Sequence, residues 1–256
     1  MEHPITSRAN PRFKDLLASL RPTGAARTHT LLLGEKLIET WRGSPHAGRL
    51  IPESLWMMEG MDTPEPFRDL GVPIQWLGEK LMADLSDSAS PPPCALFLRL
   101  GPEPGGPLKN RVIVPWGIQD PGNLGAILRS AAAFGFQEAL LGPGCADPFS
   151  PKALRGSMGA AFLLAVRRTE NFQLDSGRWF ALDGGAGAIP LNDADLVEPL
   201  RILVGNEGHG WKHESLLPAV QRVAIPTTGV ESLNAAVAAG IACYEVQRRT
   251  PQRIGG

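Results

Sequence analysis

The chain has 256 residues, 43% hydrophobic and 20% charged, a globular composition long enough for one large domain or two ordinary ones. The formal net charge of −1 excludes a uniformly basic nucleic-acid coat, although Arg8, Arg12, Lys14, Arg21 and Arg27 gather near the N-terminus and Arg129, Lys152 and Arg155 follow later, which leaves room for a basic face on a neutral protein. Cys94, Cys145 and Cys243 form no CxxC pair, which argues against a disulfide framework or a structural zinc and fits a reducing cytoplasm; the N-terminus has no apolar core of a signal peptide, and no apolar run approaches the roughly 20 residues of a membrane helix.

In chain order, Thr30-Leu31-Leu32-Leu33 reads as a buried strand closed by Gly34, and Glu35 to Trp41 carries Leu37, Ile38 and Trp41 at helical spacing. Pro73 to Leu77 reads as a strand and Gly78 to Leu85 as a helix. The Pro-rich stretch 86–93 is a stiff spacer, Ala95-Leu96-Phe97-Leu98 a closing strand, and a second Pro/Gly stretch, 101–107, the expected domain boundary. This divides the chain into a smaller α/β/α domain, residues 1–104, and a second domain, residues 105–256.

In the second half, Val112–Val114, Ala139–Leu141, Trp179–Leu182, Ile202–Val204 and Val223–Ile225 are short apolar runs that stop at Gly, Asp or Pro. Asn123 can cap a helix running through Ile127, Leu128 and Ala131 to Phe134, where Gly135 stops it. A last helix is expected from near Glu231 to near Arg248, with Leu233, Val237, Ile241 and Tyr244 at near-helical spacing. Short buried strands alternating with helices predict a parallel sheet with helices on both faces. In such sheets ligands bind outside the carboxyl ends of the strands, which directs attention to the loops after 114, 182, 204 and 225.

Three of those loops have unusual sequence. In Gln119-Asp120-Pro121-Gly122-Asn123-Leu124-Gly125, Pro121 and Gly122 make a turn and Gly125 permits close approach of a backbone or ligand. Arg129 follows on a different face from Ile127 and Leu128, either as a solvated arginine or as one set at a strand-end cleft to hold phosphate or ribose. Gly205-Asn206-Glu207-Gly208-His209-Gly210 has the glycine content of a loop wrapping a ligand, or of a plain surface turn. Its GxxGxG spacing is neither the dinucleotide fingerprint nor a phosphate loop, which disfavours a nicotinamide-dependent dehydrogenase. Ile225-Pro226 through Glu231-Ser232-Leu233-Asn234 to Gly240 ends a strand, turns and opens an Ala/Gly-rich helix. Its Asn, a poor helix former, needs a compensating role.

Taken together and in this order, the three segments resemble the signature motifs of the SpoU (TrmH-like) branch of the SPOUT RNA methyltransferases. The first motif is Asp120 to Ile127 with Arg129, the second Gly205-Asn206-Glu207-Gly208 with Gly210, and the third Ile225-Pro226 to Gly240. The likeness covers about residues 108–250; Ser7 to Arg12 and Leu33 to Ile38 are similar to the ribosomal-protein-L30e-like RNA-binding domain that many members carry.

The resemblance implies an α/β fold with a trefoil-knotted, parallel-sheet C-terminal domain behind a smaller L30e-like one, and S-adenosylmethionine as cofactor. It implies methylation of a ribose 2′-hydroxyl in RNA, with large-subunit ribosomal RNA ahead of transfer RNA, in a cytoplasmic homodimer. It assigns catalysis to Asn123, Arg129, Glu207, Ser232 and Asn234. The donor would lie against Leu182, Asp183, Leu203, Gly205, Asn206, Glu207, Gly208, Gly210, Ile225, Leu233 and Asn234, and RNA against Arg8, Arg12, Lys14 and Arg155. Arginine is an unusual general base, its ordinary pKa lying above about 12, so Arg129 suits positioning and electrostatic work better. No metal-ligand cluster is visible. The family often has a Ser two residues past the third-motif Asn, and here Ala236 stands there. A non-catalytic RNA-binding protein that kept the fold is the competing reading.

Overall fold

The computed structural model describes residues 3–170, 174–185, 187–206 and 219–249. It contains two sheets. The first has strands β1 (His29–Leu33), β2 (Leu50–Met58), β3 (Ile74–Leu77) and β4 (Cys94–Leu100) in the order β1-β4-β2-β3. β4 runs antiparallel to β1 and β2, and β3 parallel to β2. Helices α1 (Pro11–Leu20) and α4 (Glu79–Ser86) place Phe13, Leu16, Leu81 and Met82 against Leu31, Trp56, Leu77 and Phe97. α2 (Glu35–Arg42) and α3 (Glu65–Arg68) add Ile38, Trp41 and Phe67 to the cluster that holds Leu32, Leu55 and Leu96. Sequence reading missed α3, a single turn, and two longer elements. β2 hides its apolar run behind Pro52-Glu53-Ser54, where the register shifts by a bulge. α1 has Asn10 as N-cap, accepting from the Arg12 backbone N–H, and Pro11 in its first turn, signals that were present in the sequence.

The second sheet has β5 (Arg111–Pro115), β6 (Glu138–Leu141), β7 (Ala165–Arg168), β8 (Arg178–Leu182), β9 (Ile189–Pro190), β10 (Leu200–Val204) and β11 (Gln221–Ala224). Their order is β7-β6-β5-β10-β8-β11-β9, and every pairing is parallel. The expected parallel sheet is therefore present. Three helices pack on one face: α5 (Pro121–Ala133), α6 (Pro151–Ser157) and α7 (Ala235–Arg249). On the other face Val112, Val114, Trp179, Ala181 and Leu203 meet Val220, Leu108 and Leu174, so among the described residues the α-helices cover one face where two were expected.

Three local expectations are corrected. The N-cap of α5 is Asp120, whose carboxylate accepts from the Asn123 backbone N–H at 2.8 Å; Asn123 sits inside the first turn. α7 begins at Ala235 and not near Glu231, because Asn234 is its cap. The Asn234 side chain accepts from the backbone N–H groups of Ala236 (2.9 Å) and Val237 (3.3 Å), which is the compensation that a poor helix former needed. The buried stripe of α7 is Ala235, Ala239, Ala242, Cys243 and Val246, while Val237, Ile241 and Tyr244 face outward.

The two sheets share one interior. A single apolar cluster runs from Leu32, Ile38, Leu55 and Leu96 into Ile113, Ile127, Leu154 and Ile202. The seam also carries polar ties. Arg27 pairs with Asp147, both nearly fully buried; the Thr30 hydroxyl donates to the Phe149 carbonyl at 2.5 Å; and Arg49 donates to the Val166 carbonyl at 2.7 Å. No helix among the described residues is long and apolar enough to cross a membrane.

Candidate active site

The strands of the second sheet end level with one another. Val204 pairs with both Pro115 and Leu182, and Val223 pairs with Leu182. The chain winds outward one way through β5, β6 and β7, then crosses to build the other half, so β5 and β10 flank the point where the winding reverses. This is where an open parallel sheet leaves a crevice. Two clefts lie along this carboxyl edge. One, of about 180 Å³, sits beyond β5 and β10 and is lined by Gly117, Gln119, Asp120, Asn123, Asn206 and Ala235. The other, of about 130 Å³, sits beyond β8 and β11; Leu182, Asp183, Ile225, Ser232 and Leu233 line it, with Glu231 at its mouth.

The approach to α7 borders both clefts, and there the first and third motifs meet. Asn234 Nδ2 donates to Asn123 Oδ1 at 3.4 Å, across 111 positions of sequence. Asn123 is held by its own helix start. Asp120 caps that start and pairs with Lys152 Nζ at 2.9 Å, and the Lys152 hydrogen bond, with the Asn123 backbone N–H, holds the Asp120 carboxyl below the ordinary carboxylate range. The second motif reaches the same place through Asn206, whose Nδ2 donates to the Gly117 carbonyl at 3.2 Å. Gly117 has φ +67°, a conformation that glycine adopts without strain.

At the other cleft, Asp183 ends β8 and accepts from the Gly185 backbone N–H (2.9 Å) and from Arg222 Nε (3.0 Å). Partial burial opposes ionisation of Asp183, yet the Arg222 and Gly185 hydrogen bonds together outweigh it and keep its carboxyl below the usual range. A Cβ at Gly185 would fall 2.0 Å from Arg222 Nη2, so a larger residue there would push the end of the guanidinium aside. Sequence reading missed Arg222 and counted Lys152 only among the basic residues, because their partners lie 39 and 32 positions away.

The remaining expected residues are distributed as follows. Arg129 is exposed on α5 and lines neither cleft; Leu203 is fully buried on the opposite face of the sheet. Gly205 follows directly on β10. Glu207, Gly208 and Gly210 lie outside the described residues. Gly125 does admit a close approach, but of backbone: a Cβ there would fall 2.6 Å from the Ala153 carbonyl oxygen of α6. Arg155 is exposed on α6. Lys14 is exposed on α1, while Arg8 pairs with Asp84 (2.5 Å) and Arg12 donates to Gln75 (2.8 Å). No cluster of His, Cys, Asp and Glu among the described residues could hold a metal.

These features define a parallel α/β protein whose ligand crevice opens at the switch point of its sheet. A model of the SpoU rRNA Methylase family matches residues 110–244, more than half of the chain and all three motifs, and the chain belongs to that family. It is 29% identical over 255 residues to the 23S rRNA (guanosine(2553)-2′-O)-methyltransferase RlmP of Bacillus subtilis, covering 95% of this chain and 98% of that protein. It is 39% identical over 140 residues to an uncharacterized tRNA/rRNA methyltransferase, slr1673, of Synechocystis, which covers 52% of this chain and 51% of that protein. The AdoMet-bound rRNA methyltransferase of Sinorhizobium meliloti superposes with a TM-score of 0.81 at 25% identity, covering 98% of this chain and 99% of that one. An RNA 2′-O ribose methyltransferase superposes with a TM-score of 0.77 at 28% identity, covering 96% and 99%.

Proposed function

We propose that the chain methylates a ribose 2′-hydroxyl of RNA with S-adenosylmethionine as donor, large-subunit ribosomal RNA being the favoured substrate over transfer RNA. The observation that carries this is the Asn123–Asn234 contact between two clefts at the switch point, in a chain whose family match spans both residues.

The cleft beyond β8 and β11 fits the donor by its chemistry. Leu182, Ile225 and Leu233 offer an apolar wall suited to a purine ring, and the Asp183 carboxylate, kept ionised by Arg222, is an acceptor suited to ribose hydroxyls. S-adenosylmethionine supplies, when bound, a methyl group on a sulfonium, which asks for an in-line oxygen nucleophile and little covalent help. Asn123, Ser232 and Asn234 then orient the ribose in front of it, and the motif resemblance assigns Glu207 to the same work. The resemblance assigns Gly205, Asn206, Gly208 and Gly210, with the backbone of Leu203, to the donor cradle in the knot loops that the family fold implies. Arg129 holds phosphate or ribose; Arg8, Arg12, Lys14 and Arg155 engage RNA further out. Residues 1–104 serve as an L30e-like substrate domain and residues 105–256 as the catalytic one, acting in the cytoplasm. The exposed groove of Val237, Ile241 and Tyr244 against Ala126, Ser130 and Phe134 supports a homodimer closed through this domain.

Incubation with radiolabelled donor and total RNA, followed by mapping of the modified nucleotide, tests the reading. Arg129→Ala is expected to abolish methyl transfer while calorimetric donor affinity stays close to wild type. Loss of donor binding in that variant would overturn the division of labour, and tight NAD(H) binding by the wild type would overturn the reading as a whole.

A further inference from the structure

The geometry points to Trp76 as a stacking station for a nucleobase of single-stranded RNA, on the first sheet and away from both clefts of the candidate active site; this rests on the RNA reading above. Trp76 lies on β3, at the edge of the sheet. The chain's N-terminal segment dresses that edge: the Ile5 backbone N–H donates to the Trp76 carbonyl at 2.7 Å, and Gly78 returns a bond to the Ile5 carbonyl at 2.9 Å. Trp76, half-buried and with its backbone so tied, lines two cavities of about 660 and 540 Å³, which also share His3. Each is the size of a small-molecule site.

The two cavities differ in chemistry. The larger sets Trp76 with Met61, 42% exposed, and is lined by the carboxylates Glu59 and Asp62 together with Arg68 and His3. An aromatic face with a polarizable thioether suits a flat ring, and carboxylates accept from the amino and imino edges of bases. The smaller is lined by no carboxylate; Arg12 stands there, oriented by its bond to Gln75 Oε1 at 2.8 Å. A guanidinium so held is suited to a phosphate. A flat, donor-edged ring joined at short range to an anion describes a nucleotide, and two cavities that share Trp76 suit a strand running across the edge.

The test uses the full chain and a fluorescein-labelled, mixed-sequence single-stranded RNA 12-mer read by anisotropy. Trp76→Leu keeps apolar packing and is expected to weaken binding roughly ten-fold, whereas Trp76→Phe stays within about three-fold of wild type. Arg12→Ala is expected to weaken binding and lower the salt slope by about one. Donor affinity by calorimetry, unchanged in all three, certifies that the variants are folded. Wild-type-like RNA affinity in Trp76→Leu, with the wild type still methylating RNA, overturns the stacking site alone. Micromolar competition by mononucleotides overturns it in favour of a free-nucleotide site. A wild type that neither binds nor methylates RNA removes the parent reading as well.

Discussion

Gly125 and Gly122 of α5 have no side chains at the surface that meets α6, and Gly156 of α6 answers them: a Cβ on Gly156 would lie 3.2 Å from the Gly122 carbonyl oxygen. The contact is backbone on backbone, so no rotamer can yield to an added methyl. Gly125→Ala is therefore expected to destabilise the fold by about 1–3 kcal/mol, as overpacking of a tight core does, in chemical denaturation. It should also displace the start of α5, weakening methyl transfer beyond any loss of donor affinity; unchanged stability would mean that α6 can shift freely. Much at this scale was legible in advance. Asn123 and Asn234 were read as members of one site because three polar, glycine-rich loops after apolar strands, taken in order, resembled the SpoU signature motifs. What Gly125 faces was not legible, because a glycine signals that something comes close without saying what. Asn234 was misread as helix interior for a related reason: an Asn can cap a helix or interrupt one, and only the chain's path decides between them.

α7 joins the site at one end to the sheet's rim at the other. Its last turn is anchored by Arg249, which donates to the carbonyls of Ala194 (2.6 Å), Leu191 (3.2 Å) and Asn192 (2.5 Å). Glu245 holds Arg249 at 2.6 Å and Arg248 at 2.8 Å. The Arg248 hydrogen bond, with Arg249, lowers the Glu245 carboxyl from 4.5 to about 2. A carboxylate with a depressed folded-state pKa stabilises the fold fully above its unfolded value and loses that contribution as pH falls through the folded one. Wild type should thus melt above Glu245→Gln at pH 7, with the difference shrinking between about pH 4.5 and 2, as followed by circular dichroism; a pH-independent difference would deny the ion pair its role. At this scale the apolar periodicity found most strands, because parallel strands buried on both faces read as continuous apolar runs. It failed for α6 and β7. α6 is only seven residues, with Gly156 inside it, and β7 spends two of its four residues on Arg167 and Arg168. Arg167 neutralises Glu138, a fully buried carboxylate on β6, a pairing that no local pattern announces.

For the molecule as a whole, the seam between the sheets and the outer face of α7 carry separate expectations. Removing one member of a buried ion pair strands the other, at a cost of about 3–5 kcal/mol. Asp147→Ala should therefore lower stability by that order in urea titrations, and the double change Arg27→Met with Asp147→Leu should recover much of it; additive losses would mean the pair is not coupled. On the outer face, Ile241→Glu is expected to convert a sedimenting dimer into a monomer, with a monomeric wild type as the refuting result. The seam was invisible to sequence reading, which saw two Pro-rich spacers and inferred a boundary. Proline and glycine mark where the chain turns, but they carry no information on whether the surfaces on either side then close over one core.

That shared interior has a consequence for how this molecule can change over generations. A recognition module hung on a tether can be lost, exchanged or duplicated without harm to its neighbour. Here, excising the first sheet would leave a greasy wall on the second, lined in part by Leu154 and Phe162, and an Asp147 that keeps Arg168 but has lost Arg27. Novelty in what the molecule recognises is therefore expected at its outer rims rather than at the buried partition between its halves.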